Sequence, residues 1–284
     1  MQRKLLIAAG VLAPMTIAAA ACGERAWERR TQALRDAIAA ARMPVHPATV
    51  RFDELAALPA PVQRYFRAVL RDGMPMISGA RIRHRGTFNM SGDVARWKPF
   101  HSDQLVVTRR PGFDWDARIA LLPGLPAHVH DAYVAGEGVL RVALLGLVTL
   151  ADMDSTPQLA QGELMRFLAE AAWYPTALLP SQGVHWTAVD DNHAEASMED
   201  GGHSVTLLFR FNAQGLIDSV HAQARGRTVG KRVIPTQWQG RFWNYQIRSG
   251  MLLPLEGEVA WLTCEGPMPY WRGSIMDISH ELAS

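Results

Sequence analysis

The stretch Phe113-Asp114-Trp115-Asp116-Ala117-Arg118-Ile119-Ala120-Leu121 decides the class of fold. Phe113, Trp115, Ala117, Ile119 and Leu121 take alternate positions, with Asp114, Asp116 and Arg118 between them. A strand points successive side chains to opposite faces, so this period of two sorts the segment into an apolar side and a polar side. The same period runs from Ala80 to Met90. There Ile82, His84, Phe88 and Met90 share one face, and Arg81, Arg83, Arg85, Thr87 and Asn89 the other. Strand-like runs follow at Gln104–Thr108, Val129–Ala135, Val139–Leu147, Val184–Val189, Ala194–Met198, Val205–Phe211, Leu216–Arg225, Thr236–Arg248, Leu255–Leu262 and Tyr270–Ile278. Glu199-Asp200-Gly201-Gly202 and Asn212-Ala213-Gln214-Gly215 have the composition of tight turns. Two helices interrupt the strands. Phe52–Leu70 carries Val62, Tyr65, Phe66 and Val69 at helical spacing, with Pro59 and Pro61 near its start. A second helix begins with Thr156 as cap and Pro157 in the first turn, and Leu164, Phe167, Leu168 and Ala171 form its apolar stripe. Roughly a dozen short strands with tight turns predict a mainly β (α+β) body. It is an antiparallel curved sheet or half-barrel with covering helices, forming a single domain over residues 50–284.

The chain begins differently. Arg3 and Lys4 precede an apolar run from Leu5 to Ala21, and Cys22 follows Ala19-Ala20-Ala21. A charged start, an apolar middle and small residues at the exit are the order of a bacterial export signal, so residues 1–22 are expected to be a signal peptide with Cys22 as lipidation site. Cleavage after Ala18-Ala19-Ala20 and an uncleaved anchor are the alternatives, although Pro14 lies mid-run and about 17–25 residues are needed to span a bilayer. Arg25, Arg29, Arg30 and Arg35 outnumber Arg3 and Lys4, which for an uncleaved helix favours a cytoplasmic body. Residues 23–49, rich in Ala and Arg, read as a solvated helical spacer. The expected address is the cell envelope, with the body membrane-anchored and facing the periplasm.

Composition narrows the function classes. A hydrophobic fraction of 48% with 20% charged residues describes a chain with ample core. A net charge of +2 gives no footprint for nucleic acid. Cys22 and Cys264 are the two cysteines, too few for a disulfide framework or a cysteine metal site. No cofactor motif is present: the sequence lacks G-x-S-x-G, a Walker loop, G-x-G-x-x-G and H-E-x-x-H. His128-x-His130 puts two imidazoles on one strand face, short of the three or four ligands of a zinc site, and reads as two solvent-exposed edge histidines. Arg81, Arg83 and Arg85 read as a solvated basic stripe. Asp190-Asp191-Asn192 and Asp152-Met153-Asp154 read as turns.

Glu163, Arg166 and Glu170 lie at i, i+3 and i+7 on the second helix, away from its apolar stripe. On an exposed helix this is a solvated ion-pair row. Across the mouth of a curved sheet it is instead a polar patch able to support acid–base chemistry. The direction of this face separates two functions. On a convex exterior the enzyme reading fails; converging in a cavity, with one carboxylate strongly perturbed, it rises above a carrier.

Three segments together resemble a bacterial family of domains of unknown function. They are Leu58-Pro59-Ala60-Pro61-Val62-Gln63-Arg64-Tyr65-Phe66, then Gly162–Glu170 with Trp173-Tyr174-Pro175-Thr176-Ala177-Leu178-Leu179, and Phe211-Asn212-Ala213-Gln214-Gly215-Leu216-Ile217. The resemblance covers nearly all of residues 50–280 and implies no catalytic residues. Strand count, the intervening helix and the targeting segment are also similar to lipoprotein-carrier folds such as LolA and LolB. The leading expectation is therefore an envelope lipoprotein whose curved sheet binds a hydrophobic ligand, a lipid or acyl chain, without cofactor or metal. Trp173, Tyr174, Trp186, Trp238, Trp243 and Trp261 are its candidate ligand-lining residues. An enzyme using Glu163, Arg166 and Glu170 is the first alternative. A structural scaffold for a protein partner, which needs an exposed apolar patch, is the second.

Overall fold

The computed structural model describes residues 2–90, 95–153, 155–230 and 232–283, with side-chain environments from Ala18 onward except residue 19. Thirteen antiparallel strands form one curved sheet. The first half of the chain supplies β1 (Ile77–Asn89), β2 (Trp97–Val107), β3 (Gly112–Leu122), β4 (Leu125–Val134), β5 (Glu137–Leu144) and β6 (Val148–Met153). The second supplies β7 (His185–Ala188), β8 (His193–Asp200), β9 (His203–Phe211), β10 (Ile217–Val229), β11 (Arg232–Arg248), β12 (Met251–Thr263) and β13 (Gly266–Leu282). Each half is a meander, and the halves meet where β1 pairs with β13 in the middle of the sheet. β6 and β7 are thus the opposite edges. The chain passes between them through α3 (Pro157–Glu170), which crosses the concave face and packs on β4, β5, β9 and β10.

Local chemistry explains the ends of α3. Thr156 Oγ1 accepts a hydrogen bond from Leu159 N at 3.1 Å, and Pro157 occupies the first turn, where its missing N–H costs nothing. Leu164, Phe167 and Leu168 are buried against the sheet. The helix expected over Phe52–Leu70 is shorter than its periodicity. A 3-10 turn at Phe52–Leu55 is followed by a break, and α2 runs over Ala60–Val69. Pro59 biases Leu58 away from the helical region, and Pro61 then opens the new helix.

Three expectations need correction. Asp152 and Met153, read as turn chemistry, end the edge strand Val148–Met153, and Asp152 pairs with Arg141 across β5–β6; Asp154 lies outside the described residues. His128 and His130 are not exposed edge histidines, being 2% and 0% exposed. The solvated-spacer reading of residues 23–49 also fails. α1 (Gln2–Ala41) lies along the convex face on β2, β3 and β4, with Trp27 and Ile38 buried.

The polar side of the opening stretch is what holds α1. Arg35 bridges Asp103 at 2.9 Å and Asp114 at 3.0 Å. Trp27 stacks on His130 with ring centroids 4.4 Å apart and donates to Asp116 Oδ1 at 2.8 Å. Arg118 pairs with Glu24 at 2.7 Å, and His130 Nδ1 lies 2.8 Å from Asp114 Oδ1. The alternation of β3 therefore has two buried sides, one apolar toward α3 and one polar toward α1. Burying Asp114 is tolerable because each of its oxygens meets a charged or ring donor.

Candidate functional site

The concave face between α3 and strands β1, β3, β4 and β10–β13 is a cleft. An inner pocket of about 110 Å³ is lined by Trp115, Trp173, Trp238, Phe242, Val259 and Trp271. It shares Phe88, Asp131, Arg225 and Tyr270 with an outer cleft of about 440 Å³, where Leu140, Met153, Leu159, Trp261 and Met268 stand. Aromatic rings dominate the wall. Trp238 Nε1 donates to Tyr270 Oη at 2.9 Å, and Tyr270 stacks on Trp261 with centroids 5.7 Å apart. Depth comes from a small residue: a Cβ on Gly240 would stand 3.3 Å from the Trp238 ring.

Charged groups of α3 close the base. Arg166 donates to Asp131 and Glu170, both at 2.7 Å, and its guanidinium lies over Phe113 (4.9 Å) and Trp115 (5.3 Å). Burial opposes its charge, but the carboxylates of Glu170 and Asp131 outweigh this and hold the cation firmly protonated. Glu170 accepts a further bond from Gln104 Nε2 at 2.7 Å. Glu163 faces Arg225 at 3.2 Å, and Arg225 lies 5.1 Å from the Trp238 ring centroid. Burial, then the negative charge of Asp131, pushes the Glu163 carboxyl up to about 8 against the pull of Arg225 and Arg166. Glu163 Oε2 meets no nitrogen or hydroxyl donor among the described residues, and the protonated carboxyl is placed to hydrogen-bond Asp131. The Trp115 and Trp173 indole nitrogens and His84 Nε2, on the same side of the sheet, are unpartnered among those residues. Buried polar atoms without partners are rare in folded proteins; these flank the cleft, while others, on His128, Gln182 and His280, lie away from it.

The sequence-derived candidates divide. Glu163, Arg166 and Glu170 converge at the cleft, so the solvated-row reading is wrong: the face opposite the apolar stripe meets the strands of a curled sheet rather than water. Trp173, Trp238 and Trp261 line the cleft. Tyr174 is packing, its hydroxyl donating to Phe167 O at 2.8 Å. Trp186 packs on Phe66 and Phe209 beneath α2 and donates to Leu178 O, away from the cleft. Trp243 is also misassigned. Its neighbour Phe242 faces the cleft, so the strand period sends Trp243 to the convex side, where it is 39% exposed and donates to Glu256. Arg81 and Arg83 are exposed and paired with Asp103 and Asp277. Cys22 is exposed, as is Cys264.

Sequence reasoning missed Asp131, Arg225, Trp115 and Trp271. Arg225 follows a β-bulge between Ala222 and Arg225 that resets the alternation of β10 and turns its side chain inward. For the tryptophans a signal existed. Trp115 stands on the apolar face of Phe113-x-Trp115-x-Ala117, and Trp271-x-Gly273 alternates an aromatic with a small residue as Trp238-x-Gly240 does, the pattern of a hollowed wall.

No curated protein matches this sequence. Among solved structures, the chain is similar to a LolA superfamily protein from Nitrosomonas europaea at 11% identity and a TM-score of 0.43, covering 79% of this chain and 94% of that one. It is also similar to a DUF1329 family protein from Desulfovibrio piger at 9% identity and a TM-score of 0.36, covering 73% and 88%. A family model spans most of the body, from the break before α2 to the last strand. By that match over residues 56–280, the chain belongs to the family of unknown function DUF6920.

Proposed function

We propose that this is an envelope protein, attached to a membrane through its N-terminus, that binds a hydrophobic ligand in its concave cleft. The ligand is a lipid or acyl chain with a polar end. The observation that carries the reading is the cleft's composition: an aromatic and aliphatic wall that ends at the Glu163–Arg225 pair beside Asp131. Apolar pockets with a few convergent polar groups are how such ligands are held and oriented. The chain lies along Trp238, Trp261 and Trp271, and its polar end reaches Glu163, which offers a proton when neutral and accepts one when charged. Cys22 is the lipidation site in this reading.

The test is native mass spectrometry of the full-length protein purified from membranes. A bound mass that fragments as a lipid is expected, and Val259→Trp, which fills the inner pocket, abolishes it. A ligand-free wild type saturated with added lipid extract, with no bound mass, contradicts the proposal.

A second reading shares the pocket. Convergence of Glu163, Arg166 and Glu170 in a cavity, with one carboxyl raised to about 8, moves an acid–base enzyme upward, since an acid that titrates near neutrality suits proton transfer. Arg166 and Glu170, however, are locked to each other and to Asp131 and Gln104, leaving Glu163 as the one mobile proton site. Convergence and a raised carboxyl meet the condition under which an enzyme ranks above a carrier, but with Arg166 and Glu170 locked only Glu163 is left to exchange a proton, so binding is kept as the leading reading. Chemical change of the released ligand on return to wild type, absent with Glu163→Gln, favours the enzyme.

A further inference from the structure

The turns β3–β4 and β5–β6 lie side by side at one end of the sheet, tied by Leu145 N donating to Pro126 O at 3.0 Å. Four large apolar side chains there face solvent: Leu122 (60% exposed), Leu147 (45%), Val148 (59%) and Leu150 (53%). Leu145 adopts a left-handed φ of 53° in this turn, a conformation uncommon for a branched residue. The patch is thus displayed by a turn of unfavoured geometry.

α1 passes directly against it. A Cβ on Gly23 would stand 2.2 Å from Leu145 O and 2.7 Å from the Leu147 side chain, so only glycine permits this approach. The helix runs antiparallel to β3: Glu24 meets Arg118, Trp27 meets Asp116, and Arg35 meets Asp114. Followed toward its N-terminus, it leaves the body beside the two turns. Cys22 and the apolar run Leu5–Ala21 come immediately next in sequence. Just inside that exit, Arg25, Arg29 and Arg30 are exposed on α1 and outnumber the exposed Glu28.

We propose that the β3–β4 and β5–β6 turns insert into the surface of a lipid bilayer beside the N-terminal anchor, with Arg25, Arg29 and Arg30 over anionic headgroups. The inference rests on the membrane attachment proposed above. Either form of attachment, acyl chains on Cys22 or the apolar helix itself, sets lipid against Leu147. A second contact turns a single tether into a fixed posture, because a helix docked along β2–β4 cannot swing about its exit. Anchoring that takes more than one signal is the ordinary requirement for stable membrane association.

The full-length protein with Leu147, or separately Glu137, replaced by a dansyl-bearing amino acid is reconstituted into vesicles of phosphatidylethanolamine and phosphatidylglycerol. Glu137 is exposed at the far end of β5, about 25 Å away along the strand. Expected is a blue shift at position 147 that is quenched by lipids brominated on their acyl chains, with no change at position 137. Position 122 behaves as 147 does. If the protein floats with the vesicles but position 147 stays as wet as 137, the insertion is wrong while the attachment stands. A protein that does not float overturns both. A blue shift without lipid that grows with protein concentration assigns the patch to a second copy and also overturns the proposal.

Discussion

Glu163 is the residue whose chemistry most depends on its surroundings. Its carboxyl is raised from 4.5 to about 8, first by burial and then by Asp131. A raised folded value means that the folded state prefers the proton, so this contribution to stability is complete below about pH 4.5 and is lost as pH rises toward 8. Glu163→Gln keeps the neutral form at every pH. Thermal unfolding between pH 5 and 9 is expected to show wild type losing stability with rising pH while the variant holds, the gap being largest at pH 9. A less stable variant at pH 9 would mean that the ion pair with Arg225 dominates instead. Arg166 behaves oppositely. Arg166→Met leaves Asp131 and Glu170 as half-buried charges without their cation and is expected to cost about 3 kcal/mol in urea unfolding, the lower end of the range for breaking a buried pair. The row Glu163, Arg166 and Glu170 was legible in the sequence because helical spacing is local information. Its partners Asp131 and Arg225 were not, since one lies a sheet register away and the other behind a bulge.

At the scale of elements, the two sides of β3 give α1 and α3 their places. The sequence read the period of two correctly, and it read Asp114, Asp116 and Arg118 as a polar face. What covers that face could not be read, because Trp27, Thr31 and Arg35 reach it across some 80 positions. α1 is expected to be part of the folded body rather than a tether. Trp27→Ala should weaken its docking by about 3–5 kcal/mol, the range for removing a buried tryptophan. Hydrogen exchange then rises over residues 20–41 while β7–β11 keep their protection. Acid should act on the same contact. Burial and then Arg118 hold the His128 imidazole down to about 4, so docking is strongest above about pH 6.5 and declines as pH falls toward 4. Exchange over residues 20–41, corrected for intrinsic rate, should therefore be faster at pH 4.5 than at pH 7. Equal protection at both values would remove His128 from the account.

For the whole molecule, the path of the chain explains the cleft. Two meanders join at β1 and β13, which leaves the connection from β6 to β7 one short route, across the concave face. α3 takes that route, and the cleft is the space left between it and β10–β13. The antiparallel half-barrel was legible because alternation and turn chemistry repeat along the whole body; the pairing of first strand with last was not, since no local pattern encodes it. The central claim is that this cleft, rather than the convex face behind it, holds a hydrophobic ligand. The most direct measurement places a benzophenone amino acid at Trp261, where it replaces a ring already lining the outer cleft, or at Trp243, on the convex face of the same sheet region, and illuminates the full-length protein in membranes. A lipid adduct by mass spectrometry at position 261 and none at 243 is the predicted result. Equal capture at both positions, or none at 261 with the protein folded, would contradict it.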